Sequence, residues 1–248
     1  MGVAALWIKE DERGDISERI VRKDAYLTRT DWADATKWNP NASDGYYRVP
    51  MEAACLQHLA ACSVPTLWHC FSDTALLKYT LYMQYCGLGT LFDVMENYYP
   101  HADADDPLDR AKEPIPKPFL WRVFQSLAEV GQAMHKGSLS FGLRKLGWRD
   151  IIHRDLKPCN IFLDLPDPGD WEAYPRPFVG DFGLAIRITE ADPLNPQIFL
   201  DQGGTSGFLA PEQSSYVEWE TREPIDQFLL TSRTNVWGKR VLTQHSFT

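Results

Sequence analysis

The sequence predicts an α+β fold of two lobes, in which a small antiparallel β lobe with one helix precedes a larger, mainly helical lobe. Segments with the alternating pattern of strands dominate the chain before residue 86, and the strongest helical pattern follows it. With 248 residues, of which 44% are hydrophobic and 24% charged, the chain can bury a sizeable core. We therefore expect one domain, residues 1–248, with lobes at residues 1–86 and 87–248.

Two strands and a helix are predicted to open the smaller lobe. Gly2 to Lys9 and Ile16 to Tyr26 have strand-like composition and are separated by the polar turn EDERGD. Apolar residues recur at steps of three and four from Pro50 to Ala61, which predicts a helix. Asp31 to Arg48 is rich in Asp, Asn, Gly and Pro, so we expect an irregular insertion whose aromatic residues pack locally.

The next pattern predicts two more strands and the link between the lobes. The strands follow Pro65 and are joined by a turn at Ser72-Asp73. The second strand leads into a linking segment from Leu81 to Gly87. The helical lobe is predicted to begin near Gly89 to Phe92 and to continue from Asp93 to Tyr99.

A loop and a long helix are expected next. Residues 101–118 combine four Asp with four Pro and are expected to form an exposed loop. In Phe119 to His135, apolar residues at helical spacing predict a long buried helix that supports the following loop. The residues predicted to face the core are Leu120, Val123, Phe124, Leu127 and Val130.

Three short motifs carry the chemical signal of the chain. They are HRDLKPCN at His153 to Asn160, DFG at Asp181 to Gly183, and APE at Ala210 to Glu212. One such motif can arise by chance in a loop, but the three in this order, framed by apolar strand-like runs, resemble the signature of the eukaryotic protein kinase family. The resemblance implies a two-lobed protein-kinase-like fold, ATP and Mg²⁺ as cofactors, and a protein substrate.

The residue types of these motifs suit phosphoryl transfer, which needs positioning and compensation of negative charge. Asp155 would orient the substrate hydroxyl and accept its proton. Asn160 and Asp181 offer the hard oxygen ligands that Mg²⁺ prefers. Lys157 can reach the γ-phosphate with a mobile ammonium. Catalytic residues are therefore predicted at Asp155 and Lys157, and metal ligands at Asn160 and Asp181.

The resemblance extends to two charged residues of the smaller lobe. Ile20 to Lys23 resembles the V-A-I-K strand of the family, so Lys23 would hold the α- and β-phosphates. Glu52 resembles the glutamate of the family's helix αC, which pairs with that lysine. Taken alone, both residues are also ordinary surface features, and a Glu in a first helical turn favours the helix dipole without any partner.

The same resemblance implies an adenine pocket. Met83 would be the gatekeeper residue, and the backbone of Gln84 and Cys86 would hydrogen-bond the adenine edge. A buried strand whose side chains serve only the core explains this string equally well. The other ATP-binding residues that the resemblance implies are Gly2, left from a Gly-rich loop, and the apolar wall residues Ala4, Val21 and Phe162.

Two features resemble the Ser/Thr-specific branch of the family. They are Lys157 followed by Pro158, and Thr205, which in the family bridges the base and the catalytic lysine. We therefore expect a Ser or Thr hydroxyl as acceptor. Asp201 is expected to substitute in part for the loop phosphate that Arg154 usually receives in such enzymes.

The chain also departs from the family pattern. The Gly-rich loop GxGxxGxV and the first strand, expected before Ala4, are missing, and the helices that finish the larger lobe are expected to be absent. Asn235 stands where the family usually has Asp, so the tether to the HRD backbone would lose its charge. Glu212 is expected to lack its usual Arg partner and to be left unpaired.

These departures leave two functions open. The first is a Ser/Thr protein kinase with its catalytic-loop chemistry intact. The second is a catalytically impaired kinase-like protein that binds nucleotide or protein partners.

Composition constrains partners and location. A net charge of −9 and the absence of a basic run argue against a nucleic-acid surface. The chain has neither a signal-peptide pattern nor a stretch of about 20 apolar residues, so no membrane partner is expected. Five cysteines without zinc-type spacing favour free thiols in a reducing compartment. We expect a cytoplasmic protein, with the nucleus as an alternative location.

Overall fold

The computed structural model describes residues 2–39, 48–98, 114–140, 142–189, 191–192, 195, 203–213 and 229–238. The strands are β1 (Gly2–Glu10), β2 (Ile16–Tyr26), β3 (Leu67–Asp73), β4 (Lys78–Gln84), β5 (Asp150–Ile152), β6 (Ile161–Asp164), β7 (Arg176–Val179) and β8 (Ile186–Ile188). The helices are α1 (Arg29–Ala33), α2 (Met51–His58), α3 (Leu91–Tyr98), α4 (Lys117–Lys136) and α5 (residues 232–238). Within these ranges, no helix combines the length and apolar character that a membrane span requires.

The smaller lobe is built on one four-stranded antiparallel sheet with the strand order β1-β2-β4-β3. Ala4 lies opposite Lys23, and Val21 lies opposite Met83. Because directly opposed residues of neighbouring strands point to the same face, and faces alternate with a period of two, these four side chains share one face of the sheet. The sheet register therefore brings the apolar residues and the lysine predicted for the nucleotide pocket to one surface.

The predicted turn between β3 and β4 is wrong by two residues. Ser72 and Asp73 are the last residues of β3, and the turn occupies residues 74–77. The Asp73 carboxylate accepts hydrogen bonds from the backbone N–H groups of Ala75 at 2.9 Å and Leu76 at 3.1 Å. An aspartate that caps its own turn in this way stands at the last strand position and not within the turn.

The segment Asp31 to Arg48 is more regular than its composition predicts. It includes most of α1, which Thr28 caps by accepting a hydrogen bond from the backbone of Asp31, and a 3₁₀ turn at Ala35–Lys37. The predicted local packing of its aromatic residues is confirmed for Trp32 and Trp38, whose rings lie edge to face at 4.7 Å. Residues 40–47 lie outside the described part of the chain.

Helix α4 supplies the main core of the larger lobe, as predicted, but two details differ. Phe124 is 49% exposed and packs edge to face on Trp121, so its predicted burial is wrong. Ile115 is only 6% exposed and joins the core, and the helix begins at Lys117. The end of the predicted exposed loop is therefore ordered core and helix, while residues 101–113 lie outside the described part of the chain.

Short strands hold the segment between α4 and the APE motif. Strand β5 pairs with β8, and β6 pairs with β7. The linking segment joins the same layer, because the Leu88 N–H donates to the Leu163 carbonyl at 2.9 Å and the Leu163 N–H donates to the Gly89 carbonyl at 2.8 Å. The HRD and DFG motifs therefore lie at the ends of neighbouring short strands, close to the link between the lobes.

Helix α5 ties down the HRD segment through Asn235. The Asn235 amide oxygen accepts from the backbone N–H of His153 at 2.9 Å, and its amide nitrogen donates to the carbonyl of Ile151 at 2.8 Å. The residue carries no charge, yet both ends of its amide contact the buried backbone of this segment. An amide can donate as well as accept, whereas an ionised carboxylate can only accept.

The prediction that Glu212 has no partner is wrong. Its carboxylate accepts a 2.6 Å hydrogen bond from the hydroxyl of Thr234, one residue before Asn235. A hydroxyl group satisfies a partly buried carboxylate as well as a charged partner does. Helix α5 therefore contacts both the APE motif and the HRD segment.

Replacing Gly180 by Ala is expected to destabilise the fold. A Cβ atom at Gly180 would lie 2.7 Å from Cδ2 of Phe162 and closer still to Cε2, so the ring or the backbone must shift. We expect Gly180→Ala to lower the free energy of unfolding by about 1–3 kcal/mol, measured by urea denaturation. Gly87→Ala is the control, because its Cβ would meet only the Tyr85 ring at 3.4 Å. Equal denaturation midpoints for the two variants would contradict this expectation.

Replacing Asn235 by Ala is expected to cost about 2–5 kcal/mol of stability, because two buried backbone groups lose their partners. Val236→Ala on the same helix is the matched control, since Val236 is 59% exposed. Thermal and urea denaturation of both variants measure the difference. The tether would be refuted by an Asn235→Ala protein as stable as the Val236→Ala protein.

Candidate active site

Lys23 lies between two carboxylates from different parts of the chain. Its Nζ atom is 2.6 Å from Oε1 of Glu52 and 2.7 Å from Oδ1 of Asp181. Strand β2 presents the lysine, the first turn of α2 presents the glutamate, and the DFG motif after β7 presents the aspartate. The structure therefore brings together three of the predicted site residues.

Burial and charge act in opposite directions on this cluster. Burial lowers the pKa of Lys23, but the charges and hydrogen bonds of the two carboxylates outweigh it and hold the pKa above its ordinary value. Burial likewise raises the pKa of Asp181, yet the Lys23 ammonium brings it below the ordinary value. The lysine is thus charged and the aspartate ionised at neutral pH.

The backbone around the HRD and DFG motifs is locked in an unusual conformation. Arg154 has φ = 67° and Asp181 has φ = 57°, both in the left-handed region that non-glycine residues seldom adopt. His153 fixes the geometry between them, since its Nε2 lies 2.9 Å from the Gly180 carbonyl and its ring packs on Phe182 at 4.7 Å. Burial lowers the pKa of His153, so this ring is a neutral structural element.

A second cluster forms around Asp155. Thr205 donates its hydroxyl proton to Oδ1 of Asp155 at 2.7 Å, and Nζ of Lys157 lies 3.0 Å from Oδ2. The same Thr205 hydroxyl accepts from Lys157 at 2.8 Å. The Asn160 amide donates to Oδ2 of Asp155 at 3.1 Å. The carboxylate is therefore held in one orientation by three neighbours.

Asn160 and Asp181 offer oxygen atoms of the kind that Mg²⁺ prefers. The Asn160 amide nitrogen is directed at the backbone and carboxylate of Asp155, which leaves the amide oxygen as its ligand atom. Among the described residues, no group of three or more His, Cys, Asp or Glu side chains forms a closed metal cage. Mg²⁺ is commonly held by one or two protein oxygens together with substrate phosphates.

The residues predicted for the adenine pocket have the following surroundings in the structure. A Cβ atom at Gly2 would lie 3.6 Å from Cε of Lys23, and Phe162 on β6 packs against Gly180. The backbone N–H of Gln84 donates to the Thr66 carbonyl at 2.9 Å. Burial raises the pKa of the Cys86 thiol to about 12, so this residue stays protonated.

Met83 is placed where it could serve as a gatekeeper residue and as a core residue. It lies on the same sheet face as Val21 and Lys23, and it also packs, partly buried, against the apolar cores of both lobes. A wall of a nucleotide pocket and a core residue are compatible at this position.

Sequence reasoning missed two contacts of these clusters. Tyr79 donates its hydroxyl to Oε2 of Glu52 at 3.1 Å, and the period of two in β4 already placed it on the face of Leu81 and Met83. Gln213 donates to the Arg154 carbonyl at 2.8 Å, and nothing in the sequence indicated that contact. Asp201 lies outside the described part of the chain, so its predicted role stays a prediction.

Comparison with known proteins identifies the protein kinase family, which the sequence motifs resemble. The model of the protein kinase domain matches residues 33–228. The chain is 35% identical over 123 residues to the receptor-like protein kinase HAIKU2 of Arabidopsis thaliana, covering 49% of this chain and 11% of that protein. It is 29% identical over 148 residues to the serine/threonine-protein kinase Nek2 of Mus musculus, covering 59% and 27%.

A third relative matches a shorter segment of the chain than the other two do. The chain is 37% identical over 101 residues to the serine/threonine-protein kinase/endoribonuclease IRE1 of Hypocrea jecorina, covering 40% of this chain and 8% of that protein. The matches therefore span at most 27% of the length of these three relatives. The family model covers most of the chain, so the chain belongs to the protein kinase family.

Proposed function

We propose that this chain is a Ser/Thr protein kinase that transfers the γ-phosphoryl group of ATP to hydroxyl groups of protein substrates. The observation that carries the proposal is the Lys23 ammonium between the carboxylates of Glu52 and Asp181. It joins a cation of the smaller lobe to an acidic residue beside the catalytic loop. To bind a triphosphate together with its metal ion, a protein needs a cationic side chain for the phosphates close to an oxygen ligand for the metal.

Asp155 orients the acceptor hydroxyl and accepts its proton. The acceptor oxygen forms the new bond to the γ-phosphorus, the bond from that phosphorus to the bridging oxygen of ADP breaks, and ADP leaves with that electron pair. Thr205, Lys157 and Asn160 hold the Asp155 carboxylate, so it needs little reorganisation in the transition state. Lys157 compensates negative charge on the transferring group.

Asn160 and Asp181 would hold the magnesium ion, which would neutralise charge on the phosphate oxygens. Lys23 holds the α- and β-phosphates, and Glu52 holds Lys23. The N–H of Gln84 is already bonded to Thr66, so its backbone reaches the adenine edge through its carbonyl. The remaining pocket residues are Gly2, Ala4, Val21, Met83, Cys86 and Phe162.

Two observations support a Ser/Thr acceptor. The Thr205 hydroxyl joins Lys157 and Asp155 directly, as the resemblance to the Ser/Thr branch implies. The printed names of two relatives, Nek2 and IRE1, describe serine/threonine-protein kinases. The net charge of −9 supports a protein partner over a nucleic acid, and a cytoplasmic location is part of the proposal.

The variant Asp155→Asn is expected to abolish transfer and to leave nucleotide binding nearly intact. Loss of the base should lower the rate of phosphate transfer to a generic protein substrate by at least about a hundredfold. The dissociation constant of Mg-ATP, measured by titration calorimetry, should stay within about twofold because Asp155 contacts the acceptor and not the nucleotide. Glu96→Gln, which removes an exposed carboxylate on α3, is the control for activity.

The transfer assay, together with thermal denaturation of the unsubstituted chain with and without Mg-ATP, has three decisive outcomes. Persistent transfer by Asp155→Asn would refute the assignment of the base. A rise in the melting temperature of the unsubstituted chain with Mg-ATP, without any transfer, would favour a nucleotide-binding module in place of a kinase. No rise at all would reject nucleotide binding.

Thr205 offers a paired test of the second cluster. Thr205→Ala removes the hydroxyl that joins Lys157 to Asp155, and transfer should slow by about 10–100-fold, the effect of one hydrogen bond to a charged group. Thr205→Ser keeps the hydroxyl and should retain most of the rate. Steady-state assays of both variants give the comparison, and a Ser variant as slow as the Ala variant would show that the bridge has no catalytic part.

A further inference from the structure

The two oxygens of the Glu52 carboxylate have different donors. Oε1 lies 2.6 Å from Nζ of Lys23, and Oε2 accepts a 3.1 Å hydrogen bond from the hydroxyl of Tyr79. The ion pair of Lys23 with Glu52 belongs to the proposed kinase chemistry, but the tyrosine has no part in it so far. A carboxylate bound at both oxygens has its plane fixed, whereas one bound at a single oxygen can rotate.

Both partners of this second hydrogen bond are buried. Glu52 is 3% exposed and Tyr79 is 8% exposed, so water replaces neither group easily. A buried carboxylate needs its hydrogen bonds, because an unsatisfied one keeps its full desolvation cost. Burial and the neighbouring Glu52 raise the pKa of the Tyr79 phenol, which keeps its hydroxyl a donor at every working pH.

The sheet register fixes the tyrosine relative to the lysine. Tyr79 lies opposite Ala25 on β2, two residues from Lys23, and Lys23 itself lies opposite Leu81. The period of two therefore puts the phenol and the ammonium on the same sheet face, one position apart along the strand. Lys23 and Tyr79, at neighbouring positions of the sheet, therefore both hold the Glu52 carboxylate of helix α2.

A cavity beside the Glu52 carboxylate provides space into which the carboxylate could rotate. It has a volume of about 60 Å³ and is bordered by Glu52 and Tyr79. Two cationic side chains, Lys37 and Arg154, also border it. Without the Tyr79 hydroxyl, the carboxylate has both the space and an electrostatic reason to turn away from Lys23.

We propose that Tyr79 is a positioning residue for the Lys23–Glu52 ion pair, and through it for the phosphates of bound ATP. The inference rests on the proposed function, since it assigns Lys23 to the nucleotide. Tyr79 touches neither substrate nor reacting atoms. Its hydroxyl selects the orientation of Glu52 that keeps Lys23 directed into the cleft.

A double-mutant cycle tests this role. Tyr79→Phe removes the hydroxyl and keeps the ring, and Glu52→Ala removes the carboxylate through which the hydroxyl acts. The dissociation constant of Mg-ATP is measured by titration calorimetry for the full chain with either change and with both. We expect Tyr79→Phe to weaken binding about tenfold in the unsubstituted chain and by less than about twofold in the Glu52→Ala background.

Tyr82→Phe is the matched control. Tyr82 lies three residues along the same strand on the opposite sheet face, where its ring packs edge to face on Trp7 at 6.0 Å. It should leave Mg-ATP affinity unchanged. A general effect of losing a hydroxyl from β4 would appear in both variants.

The outcomes separate this inference from the proposed function. An equal loss of affinity in both backgrounds, or no loss in either, overturns the positioning role, because a purely structural tyrosine is not coupled to Glu52. Coupling in ATP binding without phosphate transfer by the unsubstituted chain supports the positioning role and refutes the kinase activity. Transfer without coupling does the reverse.

Discussion

The site depends on one buried cation held between two carboxylates. Taking Lys23 out of water is costly, and the cost is recovered only when Glu52 and Asp181 both lie within hydrogen-bonding distance. Those residues come from a strand, a helix and a loop that are distant in sequence. The ion cluster therefore requires that the sheet, α2 and the DFG segment have their correct relative positions, and a shift of the sheet against α2 leaves the buried Glu52 carboxylate without its cationic partner.

Much of this arrangement could be predicted, because it follows from local rules. The period of two in β2 and β4 places Lys23 and Met83 on one face, and the motif spacing identifies Asp155 and Asp181. Other features depend on groups that meet only in the folded chain. Neither composition nor spacing could pair Glu212 with the Thr234 hydroxyl, since the two meet only through the placement of α5.

The errors at element ends have physical causes of the same kind. Phe124 has the helical spacing of a core residue, yet it is exposed because the buried stripe of α4 is narrower than its apolar pattern. Ile115 sits among prolines in the predicted loop, but tertiary packing buries it just before the helix begins. Periodicity reports which faces are apolar, and only the neighbouring elements decide which of them are covered.

The orientation of Asp155 depends on the segment that carries the APE motif as much as on the catalytic loop. Thr205 donates to its carboxylate, and Gln213 donates to the carbonyl of Arg154, the residue before it. Gly204, at φ = 125°, allows the close approach, since a Cβ atom there would lie 2.9 Å from the same carbonyl. Because these three contacts come from residues 204–213, any change in the conformation of that segment acts directly on Asp155. The proposed base and the segment that carries the APE motif are therefore coupled, through hydrogen bonds to Asp155 and to the left-handed backbone at Arg154.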